Sequence, residues 1–220
     1  MKRASSLSGR ALRVAFSALL SLPVAYRARP AHAEGASVRP PLAAQGAPGD
    51  GVYDRFDGDL DLGLALGAEF GSAGQVAPAL RASAHYFSIA GVYAAGRIKA
   101  GDDSAPSLFG LGIDLRPLFV PRWAKGYETG PALLDLTLDS LSLSLGAFWA
   151  HAGPHAQAAT RGFDAQVGFG IPLLASAAGP WLEARGALRY PDDAPREEAL
   201  IVALSWHGFV TTPFSVSSGL

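Results

Sequence analysis

The chain has 220 residues, 49% of them hydrophobic and only 17% charged, with a formal net charge of −1 and no cysteine. Without cysteine there is neither a disulfide framework nor a thiolate metal site. The chain opens on an export signal. Lys2, Arg3, Arg10 and Arg13 form a positive region with no acidic residue near it. Val14–Tyr26 supplies a short apolar core, and Ala31-His32-Ala33 a small-x-small cleavage pattern, which is the layout of a secretory signal peptide. The core is short for a spanning helix, which needs ~20 residues; an uncleaved N-terminal anchor is the alternative reading. Six of the 18 basic residues lie at or before Arg29 and none of the 19 acidic ones does, so cleavage after Ala33 leaves 12 basic against 19 acidic residues, a net charge of −7. That balance argues against a nucleic-acid partner, since phosphate binding needs clustered Lys and Arg.

Gly35–Tyr53 is rich in Gly, Pro and Ala without periodicity and reads as a flexible leader. The next stretch, Asp59–Phe70, alternates: Leu60, Leu62, Leu64, Leu66, Ala68 and Phe70 take every second position, with Asp59, Asp61, Gly63, Ala65, Gly67 and Glu69 between them. A strand sends successive side chains to opposite faces, whereas a helix would scatter these acids among the leucines. Seven further segments alternate in the same way, separated by turn-forming clusters: Val76–Phe87, Ile89–Lys99, Leu108–Val120, Leu133–Trp149, Phe163–Leu173, Trp181–Tyr190 and Leu200–Phe214. The fourth sets Phe109, Leu111, Ile113, Leu115 and Phe119 on one face. In the fifth the leucines change parity at Asp139-Ser140. This predicts a β-bulge or a short irregular turn there, with a helical turn over Pro131–Leu138 as the competing reading.

The fold class that follows is all-β, a closed antiparallel up-and-down barrel of eight strands. The chain divides into a signal peptide over 1–33, a leader over 34–54, a barrel over 55–214 and a C-terminal tail over 215–220. Alternation alone fits both a soluble barrel with an apolar interior and a membrane barrel with an apolar exterior. Segments of ~10–12 residues are long enough to cross a bilayer at the usual tilt. The apolar face stays free of charge over long runs, as lipid contact requires. The other face mixes both signs with Gly, Ser and Ala, as a narrow lumen would. Aromatic residues (Tyr86, Phe109, Phe119, Trp149, Phe163, Tyr190, Trp206 and Phe214) fall mostly near segment ends, where girdles meet the lipid–water boundary. On the soluble alternative, a lipocalin-like carrier, Leu62, Leu64, Leu143 and Val202 would point inward.

Over Arg55–Phe214 the pattern resembles the small outer-membrane β-barrels of Gram-negative bacteria, the OmpA transmembrane domain and OmpX type. The last strand carries the resemblance furthest: Val202, Leu204, Trp206, Val210 and Phe214 form an outward apolar row closing on an aromatic. Gly208, Thr212 and the six residues Ser215–Leu220 depart from it. The resemblance implies an outer-membrane location, a monomer surrounded by outer-membrane lipid, and delivery by the barrel-assembly machinery. It implies no cofactor.

An eight-stranded barrel is just wide enough inside for its own side chains. The candidate binding residues are therefore the polar positions turned to the lumen: Asp61, Glu69, Arg81, His85, Arg97, Asp114, Arg116, Asp164, Glu183, Arg185 and His207. Arg189 shares their face. They would plug a diffusion pore and leave function to loops and surface. Four short loops, Gly71–Gln75, Ala100–Ser107, His151–Thr160 and Pro191–Glu197, would share one end. Ser83-Ala84-His85 and Ser205-Trp206-His207 place a serine and a histidine on the same polar face, part of the minimum set for nucleophilic attack. Some outer-membrane barrels are lipid A acyl hydrolases with a His-x-Ser arrangement. Here the order is reversed and the pairs face the lumen, so the expectation is that the chain is no enzyme. His151 and His155 lie four apart on a Gly/Pro loop, without the helix that would align them on a metal.

Overall fold

The computed structural model describes residues 53–55, 58–72, 74–99, 106–127, 131–151 and 159–211. The signal peptide, nearly all of the leader, Gly101–Ser104, His155, Phe214 and the tail lie outside the described residues. The alternating segments become β1 (Leu60–Gly71), β2 (Val76–Tyr86), β3 (Ala90–Arg97), β4 (Leu108–Leu115), β5 (Ser142–Ala150), β6 (Thr160–Pro172), β7 (Gly179–Pro191) and β8 (Glu197–Val210). Each pairs antiparallel with the next in sequence. β1 also pairs with β8, Leu64 lying opposite both Ala82 and Trp206, and this closes the barrel. Closure leaves no unpaired strand edge.

The polarity is inverted relative to a water-soluble core. Leu64, Leu66 and Trp206 are 59%, 66% and 64% exposed on the outer face, whereas His85 and Asp114 are 0% exposed inside. Leu62, Leu64, Leu143 and Val202, which a soluble carrier would turn inward, all point outward. The lipocalin-like reading is thereby overturned. Its apolar interior is missing because the strands place most of their large aliphatic residues on the convex face; Leu108 and Ile201, which line the lumen cavity, are exceptions.

Two segments differ from the sequence expectation. The fourth strand stops at Leu115, because Pro117 cannot donate to the ladder. The chain then turns into a short helix, α1 (Phe119–Ala124). Phe119 is accordingly not an outward girdle residue. It is buried, with the Arg55 guanidinium 4.4 Å above its ring. The start of the fifth segment is a helix, α2 (Ala132–Asp139), begun by Pro131, whose carbonyl accepts from the Leu134 and Asp135 amides. The change of parity at Asp139-Ser140 is therefore a helix end and not a β-bulge. Leu-x-Leu-x-Leu fits either period. The helix wins because it puts Asp135, Leu136 and Asp139 on one face, all buried. The β2–β3 connection, residues 87–89, turns through Phe87 and Ser88, both at positive φ (47° and 55°), and the Ile89 amide closes the turn on the Tyr86 carbonyl at 3.0 Å.

The two helices, residues 53–55 and the turn after β6 form a plug at one end of the barrel. Leu136, Ala177 and Trp181 make a small apolar core there, joined by Tyr53 and Phe209. Polar contacts pin it: Arg55 to Asp139 at 2.8 Å, Arg122 to Asp135 at 2.5 Å and to Asp139 at 3.1 Å, and Tyr53 Oη to Asp135 at 2.8 Å. The loops β1–β2, β3–β4, β5–β6 and β7–β8 share the opposite end.

Leu136 is the apolar centre of the plug, so Leu136→Ala is expected to cost it about 2–5 kcal/mol. Limited proteolysis is expected to show faster cutting within residues 116–141. Far-UV circular dichroism of the strands should stay unchanged.

Candidate functional site: the lumen charge network

Because inward side chains take every second strand position, eight strands deliver a dense set of polar groups to one narrow cylinder. All eleven sequence-predicted site residues reach it, together with Arg189, Glu197, Ser144 and Gln166. They fall into three tiers.

Near the loop end, Glu69 on β1 accepts from Arg97 at 2.6 Å and takes both Nη atoms of Arg189 at 2.7 Å each. A carboxylate held by a planar guanidinium at both oxygens is the stronger and more directional form of ion pair. Glu197 at the start of β8 accepts from the same two arginines, and the Arg97 Nε–H donates to the Pro106 carbonyl at 3.0 Å. This ring of charge lies across the mouth of the barrel.

In the middle tier, Arg81 reaches across the lumen from β2. Its Nη atoms donate to Gln166 Oε1 at 3.2 Å and Ser144 Oγ at 3.3 Å, and stand 3.2 Å from Asp114 Oδ2. Ser144 in turn donates to Asp114 Oδ1 at 2.6 Å, and Gln166 to Asp164 Oδ2 at 2.6 Å. Arg185 donates to Glu183 at 3.0 Å and to Ser142 at 2.9 Å. A cavity runs beside these groups, with a charged wall from β6 and β7 and a wall of Ala65, Ala79, Ala95 and Ala203. Asp164 Oδ1, Arg81 Nε and Arg189 Nε are buried without a hydrogen-bond partner among the described residues, and all three side chains line that cavity.

The third tier, next to the plug, is a chain of alternating carboxylates and imidazoles. Glu183 Oε1 faces His207 Nε2 at 3.2 Å, and His207 Nδ1 faces Asp61 Oδ1 at 3.0 Å. Asp61 Oδ2 accepts from Arg116 at 2.7 Å and lies 3.9 Å from His85, whose Nε2 meets Asp114 Oδ2 at 2.9 Å. Both nitrogens of His207 point at carboxylate oxygens, so both contacts are hydrogen bonds only when each nitrogen carries a hydrogen. Among the described residues the lumen holds six carboxylates (Asp61, Glu69, Asp114, Asp164, Glu183, Glu197) and five guanidiniums (Arg81, Arg97, Arg116, Arg185, Arg189). With a hydrogen on both ring nitrogens, His207 would add a sixth cation. Arg116 lies just past the end of β4. Burial opposes its charge, but the carboxylates of Asp61 and Asp114 outweigh that effect and raise its pKa.

Chemically, this arrangement holds charge in place. Ser83 and Ser205 share the lumen with His85 and His207, but both imidazoles are engaged with carboxylates, and the pairs sit inside the barrel, away from its outer face. Among the described residues no group of three or more His, Asp or Glu is placed to hold a metal ion. Three contributors escape a sequence reading of site residues, and a fourth, Arg189, does not. Glu197 stands in what reads as a charged turn. Ser144 and Gln166 look like ordinary small fillers. Arg189 sits in the same alternation as the others, and that alternation was the signal that marked it.

Glu69→Gln leaves Arg97 and Arg189 facing an uncharged amide, and breaking a buried pair this way is expected to cost about 3–5 kcal/mol. The exposed Arg161–Asp192 pair, at 3.1 Å, is the control. Asp192→Asn is expected to change stability by about 1 kcal/mol or less. Urea unfolding of both variants in the same detergent, followed by tryptophan fluorescence, checks the contrast.

No family model matches the chain, and no curated protein matches it. Among solved structures it is similar to Ail, the attachment invasion locus protein of Yersinia pestis, at 8% sequence identity, with 68% of this chain and 96% of that chain covered and a TM-score of 0.32. A likeness that distant carries no functional inference.

Proposed function

We propose that the protein is an outer-membrane barrel with a structural or interaction role, exported by its N-terminal signal and surrounded as a monomer by outer-membrane lipid. The observation that carries this reading is the inverted polarity. On the outer face of the strands the charged residues are Arg161 and Glu198, both at the loop-end rim; between the rims that face is aliphatic and aromatic. Water offers no reason to expose such a surface, whereas a bilayer core demands one. Two features support it. Strands of 8 to 14 residues suit a tilted crossing. Aromatics gather at both rims, with Phe109 stacked on Trp149 at 6.3 Å and Phe163 opposite Tyr190 at the loop end, and Tyr86 and Phe87 at the plug end.

The barrel is not an open pore on this reading. Ion-paired side chains occupy the lumen and the plug covers one mouth, so transport would need the most tightly bonded part of the molecule to come apart. A non-catalytic role fits the same geometry, since the serine–histidine pairs belong to the lumen network. The barrel-assembly machinery is the expected partner in biogenesis. Outer-membrane lipid is the expected partner afterwards.

Membrane fractionation with gel migration before and after heating tests the reading. A folded, faster-migrating form is expected in the membrane fraction, and recovery of folded protein from the soluble periplasm would refute it. Leu64→Arg puts a charge in the middle of the outer face. It is expected to destabilise the barrel in bilayers by about 2–4 kcal/mol.

A further inference from the structure

The plug end carries an apolar surface that the strands do not account for. α2 is divided along its length: Asp135, Leu136 and Asp139 turn into the barrel mouth and are buried, while Leu133 and Leu134 turn away and are half exposed. The helix runs straight into β5 and is stapled to β6, where Ser140 Oγ donates to the Gly170 carbonyl at 2.9 Å and accepts from the Gly170 amide at 2.8 Å. The outward stripe of β6 continues past the strand end into Leu173 and Leu174, each also about half exposed. On the same connection as α2, Lys125 and Tyr127 stand exposed, the ammonium 5.9 Å from the ring centroid. Leucines in line with a lipid-facing stripe, flanked by a tyrosine and a lysine, are the side chains that settle at a headgroup boundary.

We propose that α2 is an interfacial helix, with Leu133, Leu134, Leu173 and Leu174 entering the headgroup–acyl boundary of the bilayer at the plug end. The occupant is lipid, because this surface continues the outer face of β6 and is made, among the described residues, of exposed leucine side chains. The inference rests on the membrane reading above and adds a role for the plug. One face of α2 closes the lumen through Leu136 and its two aspartates, and the other is held by the leaflet, so membrane insertion and seating of the plug become a single event. In this arrangement the bilayer covers the half of Leu133 and Leu134 that the described residues leave exposed.

The absence of cysteine makes a direct test simple. Single variants Leu134→Cys, Leu174→Cys, Leu64→Cys and Asp193→Cys of the full chain would be nitroxide-labelled and reconstituted into phosphatidylcholine vesicles. Collision with oxygen, which favours lipid, would be compared with collision with a water-soluble nickel chelate. The oxygen-to-nickel ratio at 134 and 174 is expected to be several-fold higher than at 193 and lower than at 64. A ratio at 134 and 174 equal to that at 193, with 64 still high, would overturn the interfacial helix and leave the membrane barrel standing. A low ratio at 64 as well would overturn the membrane reading itself.

Discussion

Taking carboxylates and guanidiniums out of water is tolerable where opposite charge is in reach, because the residual desolvation penalty is several kcal/mol per buried ion. Among the described residues Asp164 is the lumen acid that rests on an amide, that of Gln166, in place of an ion pair. The closed eight-strand cylinder creates this problem and also provides its answer. It turns every second residue inward, and its lumen is narrow enough for arginines on one side to reach acids on the other. Glu69 and Arg189 are 120 positions apart in sequence, yet share two hydrogen bonds because β1 and β7 are both neighbours of β8. Such pairs add little net stability over a well-packed apolar filling. Their value here is specificity. An apolar lumen would give the chain two greasy faces, and nothing would then decide which face turns outward.

The strands were legible because alternation is a strong signal, and a single-residue slip would have put every charge on the wrong face. Asp61, Arg81 and Arg185 are placed by parity alone, without knowledge of any partner. Pairings were not legible, since they depend on register across the barrel. Glu197 shows this well: a charged residue at the edge of a Pro-Asp-Asp turn reads as solvated until β8 is seen to begin there, opposite Arg189. α2 was only half legible. Its leucines at alternate positions satisfy a strand, and what settles the matter is the pair of aspartates four apart meeting Arg55 and Arg122. One of those arginines precedes the first strand, and the other lies in a helix too short to leave a periodic trace.

The two ends of the barrel are sealed by different physics. At the loop end the closure is ionic, a ring of Glu69, Arg97, Arg189 and Glu197 that tolerates contact with water at its rim. At the other end an apolar cluster lies over the lumen, with Trp181 against His207 at 5.3 Å and Leu136 and Ala177 beyond it, and buried ion pairs of Arg55 and Arg122 with Asp135 and Asp139 pin it from outside. The indole N–H, buried at that boundary, is satisfied by the Ala177 carbonyl at 3.0 Å, so burying the ring leaves its donor paired. Trp181 thus separates the charged chain of Glu183, His207 and Asp61 from the plug core.

One cross-strand row shows why small residues share the polar face with arginines. Tyr93 on β3 lies opposite Gly112, Gly112 opposite Gly146, Gly146 opposite Asp164 and Asp164 opposite Arg189. The Tyr93 ring lies flat across the two glycines: a Cβ at Gly112 would come within 2.6 Å of its Cε1, and one at Gly146 within 2.5 Å of its hydroxyl oxygen. On the other side of that ring the Arg81 guanidinium stacks at 3.9 Å, an attraction that strengthens where water is excluded. Two missing side chains therefore make room for one aromatic ring, and the ring in turn supports the arginine that spans the lumen. Glycine on this face is a packing requirement, and the mixture of Gly, Ser, Ala and charge that marked the lumen in the sequence is the volume balance of a filled cylinder.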